Sequence, residues 1–215
     1  MGSKTKHGEM YMYENANPTP IDITATYHPL RFYSVGELHG FTFDAGSTGV
    51  VASVATYADG AKIQVTDIAH GLLDGEIVVF VNSTDYDGAY IVEEKTDNTF
   101  VVTVAYNVDR TFNWYQPSTL KCNAGSGGTY HIAWTLACDS TSNGKAFKFE
   151  PNINIIPVDT AASATLFSNG TDYESIAANG VVSVVAGDYI WMSCQNLTDA
   201  ADLLTYHANM NLTRI

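Results

Sequence analysis

Basic residues are scarce in this chain of 215 residues. It has 10 Lys and Arg against 23 Asp and Glu, which gives a formal net charge of −13. A protein that grips a nucleic-acid backbone needs clustered Lys and Arg to neutralise the phosphates. We therefore expect no nucleic acid among the partners. The acidic balance favours a soluble surface, or docking on a basic one.

Long apolar runs are also missing. No stretch approaches the roughly 18 apolar residues that a membrane span requires. The segment Met1–Lys6 has no apolar region of the kind that a secretory signal carries. The chain has three cysteines, Cys122, Cys138 and Cys194. This odd count indicates free thiols in a reducing compartment. The sequence predicts no membrane partner.

Motifs that carry catalysis or bind metals are few. The six histidines show no pair at the two-residue spacing of a strand or the four-residue spacing of a helix, so no zinc site is expected. His70 precedes Gly71 in a turn and is interpreted as structural. The run Asp85–Gly88 resembles only the start of a calcium loop, because the later ligands and the closing Glu are missing. No nucleophile elbow or phosphate-binding loop occurs. We expect no enzymatic activity, metal or cofactor.

Period-two alternation, typical of half-buried strands, recurs along the chain. Asn179–Asn196 reads as two strands joined by a turn at Gly187. In Tyr130–Cys138, the residues Tyr130, Ile132, Trp134, Leu136 and Cys138 share one face. In the last strand, the apolar face comprises Leu204, Tyr206, Ala208, Met210 and Leu212. About eight such strands with Pro- and Gly-marked corners predict an all-β fold, a jelly-roll β-sandwich.

Composition changes divide the chain. Residues 1–8 are polar and are predicted to form a flexible arm. Residues 9–49 and 118–215 carry the jelly-roll pattern. Residues 50–117 hold five short predicted strands between tight turns, which favours an inserted small β-barrel-like module.

Two segments resemble known families. Ala69–Val79, Tyr86–Val92 and Thr96–Val102 resemble, in order, a small β-module of tailed-phage virion proteins that is described as similar to the first catalytic-cysteine half domain of ubiquitin-activating enzymes. No cysteine lies in residues 50–117, so ubiquitin chemistry is not implied. Gly128–Trp134, Val181–Met192 and the last strand resemble the trimeric jelly rolls of the tumour necrosis factor and complement head type. No collagen-like or coiled-coil stalk is present.

Together the resemblances imply a non-enzymatic structural protein of a phage virion, a trimeric capsid decoration (cement) protein. Its partners would be its own copies and the major capsid protein. It would be made in the host bacterial cytoplasm and sit on the capsid surface of the virion. The alternative is a tail or fibre-tip receptor-binding protein that recognises a host glycan. Trp114 and Tyr115 could stack on its sugar rings, but burial of the pair in a corner of the fold is the favoured interpretation of these two residues. Cell-wall polysaccharide hydrolysis ranks last, because no convergent acid pair is found.

The candidate subunit interface is aromatic. Tyr130 and Trp134 share one strand face, and Tyr189 and Trp191 share another. Because Tyr and Trp are enriched at protein interfaces, these four are the candidate interface residues. The competing interpretation is that they fill the sandwich core, which takes side chains from both inner faces.

Overall fold

The computed structural model describes residues 5–13, 28–168, 173–198 and 202–215. These residues form strands β1 (His7–Met12), β2 (His28–Pro29), β3 (Ser34–His39), β4 (Phe41–Asp44), β5 (Thr48–Val51), β6 (Ser53–Tyr57), β7 (Lys62–Thr66), β8 (Ile77–Val81), β9 (Gly88–Ile91), β10 (Thr99–Val102), β11 (Phe112–Tyr115), β12 (Thr119–Cys122), β13 (Gly128–Ser140), β14 (Lys145–Ile153), β15 (Ile156–Pro157), β16 (Ser163–Phe167), β17 (Glu174–Val184), β18 (Tyr189–Asn196) and β19 (Leu203–Arg214). Two short 3-10 turns cover Ala58–Gly60 and Asp159–Ala161.

The chain divides into two compact units, residues 1–45 with 118–215 and residues 46–117. The larger unit has a five-stranded sheet in the order β17-β13-β19-β1-β3 and a seven-stranded sheet that includes the order β15-β14-β18-β12-β4. All pairings are antiparallel. The predicted all-β jelly-roll β-sandwich is confirmed.

Alternation in the two sheets produces one core between them. β13 buries Tyr130, Ile132, Trp134 and Leu136, while β14 and β18 bury Phe147, Phe149, Ile190, Met192 and Cys194 in the same cluster. Because successive strand residues point to opposite faces, the intervening residues of β13 face outward. Trp134 and Phe149 meet across the core with ring centroids 6.3 Å apart.

The turn between β17 and β18 is held by one carboxylate. Asp188 accepts hydrogen bonds from the Val185 backbone N–H and the Asn154 side-chain amide, both at 2.8 Å. Gly187 supplies a φ of +98°, which residues with a Cβ rarely adopt. Asn154 also accepts from the Tyr189 N–H at 3.0 Å. The turn predicted at Gly187 therefore also binds the neighbouring β14–β15 hairpin.

Several predicted elements are corrected by the structure. His7 and Gly8 pair with Thr213 and Leu212, so the predicted arm of residues 1–8 overlaps β1; residues 1–4 lie outside the described part. Residues 21–27, whose alternation of apolar and polar side chains predicts a strand, are also outside it. The sequence of residues 38–44, with Phe41 and Phe43 on one face, predicts one strand, but the structure has two there, because Gly40 turns the chain with a φ of +100°.

β19 carries a register shift that the predicted pattern missed. The pairing with β13 shifts between Ala137 and Cys138, a bulge that offsets the chain by one residue. Ala208, Met210 and Leu212 are buried as predicted, but Leu203 and Thr205 are buried in place of Leu204 and Tyr206. One extra residue therefore exchanges the two faces at the start of the strand.

Pro151, for which the sequence predicts a sheet edge or a bend, lies inside β14. That strand pairs with β18 throughout Phe147–Ile153. On its other side, β16 pairs with Lys145–Phe149 and β15 with Asn152–Ile153. Proline lacks the N–H that a ladder needs, and it falls where the partner strand changes.

The smaller unit has its own core. Sheets β10-β7-β6 and β5-β11-β8-β9 contain seven strands rather than the five predicted. They enclose an apolar cluster that includes Ile63, Val78, Phe80, Phe100 and Trp114. Its first residue is Gly46, four residues before the predicted start of the module.

Candidate contact surface

The outward side of the five-stranded sheet, called here the outer face, carries mainly small or polar side chains on β13, β17 and β19. It comprises Ser175, Ala177, Asn179, Val181 and Ser183 of β17, Thr129, His131, Ala133, Thr135 and Ala137 of β13, and His207, Asn209, Asn211 and Thr213 of β19. The register aligns these residues in rows, such as Thr213, His131 and Val181. The rows continue into β1 through His7, Glu9 and Tyr11.

The outer face differs electrostatically from the rest of the chain. None of its residues on β13, β17 or β19 is Asp, Glu, Lys or Arg, although the chain carries 23 acidic residues. The carboxylates at its margin belong to β1 and β3, where Glu37 lies 3.3 Å from the imidazole of His7. Because like charges oppose association, this face offers a second acidic molecule little repulsion.

Three large apolar side chains are exposed at one end of the outer face. Val181, Val185 and Ile215 are 56%, 63% and 70% exposed. Val181 is opposite His131 in β13, and the Ile215 N–H donates to the Thr129 carbonyl at 3.1 Å. We call Val181, Val185 and Ile215 the apolar end. They lie on the same face but on or just beyond different strands, β17 and β19, and they add exposed apolar area to that end of it.

The predicted aromatic interface is not at the surface. Tyr130, Trp134 and Trp191 are 0%, 2% and 1% exposed. Tyr130 and Trp134 fill the sandwich core, and the Trp191 indole donates to the Asn154 carbonyl at 2.6 Å. A side chain that its own protomer buries cannot give contact area to a partner, so these three residues are corrected to buried positions.

Of the four candidate interface residues, only Tyr189 is partly exposed. Its hydroxyl accepts a hydrogen bond from the Lys121 ammonium at 2.8 Å, and the same ammonium lies 4.7 Å from its ring centroid. Such a cation–π contact is worth about 0.5–1 kcal/mol at an exposed site. Tyr189 therefore belongs to a local surface pair.

The aromatic pair predicted for glycan stacking is also unsuited to that role. Trp114 is 1% exposed, and its indole N–H donates to Asp67 at 2.6 Å. Tyr115 is half-buried in β11. An indole enclosed in the core of the smaller unit has no face left for a sugar ring.

His70 is the structural residue that its turn predicted. Its Nδ1 accepts the Leu72 N–H at 3.0 Å, so Nε2 carries the proton and donates to the Thr99 carbonyl at 3.2 Å. The ring packs edge-on against Phe100 with centroids 5.2 Å apart. Both nitrogens are used within the unit, and the ring fixes the loop between β7 and β8.

The carboxylates of the partial calcium motif bind other side chains. Asp85 pairs with the Arg110 guanidinium at 2.8 Å and accepts from Asn107 at 2.6 Å. Asp87 accepts the backbone N–H and hydroxyl of Ser83, both at 2.7 Å. Within the described residues no three His, Cys, Asp or Glu side chains are grouped to hold a metal ion.

The three cysteines are free and buried. Burial raises the pKa of the Cys138 and Cys194 thiols well above the ordinary value. A protonated thiol is a poor nucleophile. These residues therefore pack as small apolar side chains.

The described residues contain no helix that is long and apolar enough to cross a membrane.

Comparisons with known proteins give no family. No family model matches the chain, and no curated protein matches its sequence. Among solved structures, the chain is similar to Eiger TNF from S. frugiperda, with a TM-score of 0.34 and 10% identity over 78% of this chain and 92% of that one.

Two further structures are carbohydrate-active enzymes. The isomalto-dextranase of Arthrobacter globiformis T6 has a TM-score of 0.23 and 11% identity over 73% of this chain. The cycloalternan-forming enzyme of Listeria monocytogenes has a TM-score of 0.25 and 10% identity over 86% of this chain. The chain spans only 36% and 22% of these enzymes. Scores this low do not establish a shared fold, so the class, an all-β jelly-roll protein, rests on its own sheets.

Proposed function

We propose that this protein is a non-enzymatic structural protein of a phage virion, a homotrimeric capsid decoration protein bound to the major capsid protein. The observation that carries the self-association is the outer face with its apolar end. The sequence alone suggested the phage head, through the resemblance of residues 50–117 to a phage virion module.

The physical argument concerns charge. Each copy carries a net charge of −13, so copies repel one another over most orientations. On the outer face this repulsion is weaker, because its positions on β13, β17 and β19 carry no acidic residue. Val181, Val185 and Ile215 add apolar area there. Burying apolar surface contributes roughly 25 cal/mol per Å². Contact through this face therefore costs little electrostatically and gains hydrophobic free energy.

Light scattering coupled to size-exclusion chromatography tests the self-association. We expect the wild type to elute as a trimer and Val181→Asp as a monomer with an unchanged circular-dichroism spectrum. Leu166→Asp is the matched control, because Leu166 is 60% exposed in β16 of the other sheet. A monomeric wild type at about 100 μM, well above the Kd of a stable assembly, would contradict the proposed contact.

Imaging of virus particles tests the location. Particles made with and without the protein should differ by density on the head surface. Density confined to the tail would instead favour the second candidate, a tail or fibre-tip receptor-binding protein that recognises a host glycan. That candidate is supported by a groove at the other end of the outer face, whose lining includes Tyr11, Tyr13 and His207.

A further inference from the structure

A groove of about 430 Å³ opens on the outer face where β1 lies beside β19. Its lining includes Glu9, Tyr11, Tyr13, Thr135, His207 and Asn209. A second depression of about 240 Å³, lined by Ala137, Ser175 and Ala177 among others, shares Thr135 and His207 with it. The larger groove lies within the range of about 300–1,000 Å³ that is usual for small-ligand sites.

We propose that this groove binds an uncharged sugar chain, with one ring stacked on Tyr13 and its hydroxyl groups bonded to Glu9 and Asn209. The neighbouring depression would take the next sugar of the chain. The site lies within a single protomer, so it does not depend on the proposed assembly or on a capsid location.

The stacking surface is Tyr13. Its side chain is 71% exposed, and its ring stands edge-on to His207 with centroids 5.4 Å apart at 69°. The face of an aromatic ring is electron-rich and attracts the polarised C–H groups of a pyranose. Tyrosine also presents a wide surface at a low cost in conformational entropy. A large ring exposed and held beside a groove is suited to a flat ligand.

The polar side of the groove is already arranged. The Asn209 amide donates to one oxygen of Glu9 at 2.7 Å. The other Glu9 oxygen occupies the space above Gly36, where an added Cβ would lie only 2.0 Å from it. A carboxylate offers about four acceptor sites, and Asn209 fills one. Glu9 is therefore held in place with acceptor capacity to spare for ligand hydroxyls.

Charge selects the class of ligand. No Lys or Arg lines either depression, and Glu9 contributes a negative charge. Phosphorylated, sulfated or carboxylated ligands would meet repulsion from Glu9 with no Lys or Arg to compensate. A ligand that presents C–H faces and many O–H donors, without charge, matches this lining.

The groove and the apolar end are separate parts of the outer face. Val181 is opposite His131, and Thr135 lies four residues further along β13. At about 3.3 Å per residue, the two positions are about 13 Å apart along the strand. Copies that meet through the apolar end can therefore leave the groove open.

A glycan array with neutral, sialylated and sulfated oligosaccharides, followed by titration calorimetry with the best neutral one, tests the proposal. Tyr13→Ala and Glu9→Gln should each weaken binding about tenfold, the factor that 1.4 kcal/mol gives. Gly36→Ala, which displaces the Glu9 carboxylate without altering a lining residue, should also weaken it. Tyr33→Ala is the control, because Tyr33 is 62% exposed outside the groove.

Three results would overturn the proposal. They are no binding of any neutral glycan at millimolar concentration, equal losses from Tyr13→Ala and Tyr33→Ala, and a preference for acidic glycans or peptides. Binding should persist in monomeric Val181→Asp. A wild type that proves monomeric but binds the glycan would defeat the proposed assembly alone, whereas a trimer that binds no glycan would defeat only this inference.

Discussion

Trp134 joins the two sheets of the larger unit, and its replacement tests whether they share one core. Its side chain is 2% exposed and contacts Phe149 of the opposite sheet. Its indole N–H donates to the Ala161 carbonyl at 2.8 Å. The residue therefore combines apolar burial with a hydrogen bond that water cannot easily replace.

The expected loss follows from these two contacts. Trp134→Phe keeps a ring but leaves the buried Ala161 carbonyl without its donor, which costs about 1–3 kcal/mol. Trp134→Ala also opens a cavity, and truncating a buried Trp costs about 3–5 kcal/mol. The free energy of unfolding of the larger unit should therefore fall more in Trp134→Ala than in Trp134→Phe.

Urea unfolding followed by circular dichroism, repeated at several protein concentrations, measures both losses. Thr135→Ala is the matched control, because the Thr135 side chain points to the outer face, and its effect should stay within about 0.5 kcal/mol. An equal loss from Thr135→Ala would refute the assignment of faces in β13. A Trp134→Phe loss that disappears on dilution would place Trp134 between subunits, as the sequence suggested.

Three further predictions concern single side chains. His70→Ala should lower the free energy of unfolding of the smaller unit by about 1–3 kcal/mol and leave the larger unit unchanged in urea melts. Burial, aided by Asp87, raises the pKa of Tyr90 to about 12. The stability that the neutral phenol contributes is therefore fully present below pH 10, about where the unfolded phenol ionises, and is lost between pH 10 and 12. Tyr90→Phe should flatten that alkaline decline. Cys138 and Cys194 should react with Ellman's reagent only after unfolding, and fast reaction in the native state would contradict their burial.

Regular strands are where sequence and structure agree best. β13 pairs with β17 without a shift and buries alternate residues from Tyr130 to Cys138. One side of β13 is apolar and the other is mainly small or polar. Only one register therefore buries the apolar side, because a slip by one residue would expose it. The same logic correctly predicted Ala208, Met210 and Leu212 as inward residues.

The predictions were wrong where one extra residue shifted the register of a strand. They were also wrong where contacts with other elements decided whether a residue is buried. The bulge between Ala137 and Cys138 exchanges the buried and exposed faces of β19 over Leu203–Tyr206. No residue type at that point predicts the bulge. Trp191 lies on the side of β18 away from the sandwich core yet is buried against the Asn154 carbonyl. Alternation states which residues share a face, but not what covers that face.

That limit explains why the sequence alone did not single out this candidate contact surface. In β17, Val182 and Val184 are buried, whereas Val181 and the following Val185 are exposed. Both faces carry valine, so periodicity does not distinguish core from surface there. An outward face that must meet another molecule resembles an inward one in composition, with small or apolar residues and few charges. The distinguishing signal is the absence of acidic residues on β13, β17 and β19 outward positions in a chain of net charge −13, and it becomes visible only after the register has assigned those positions to one surface.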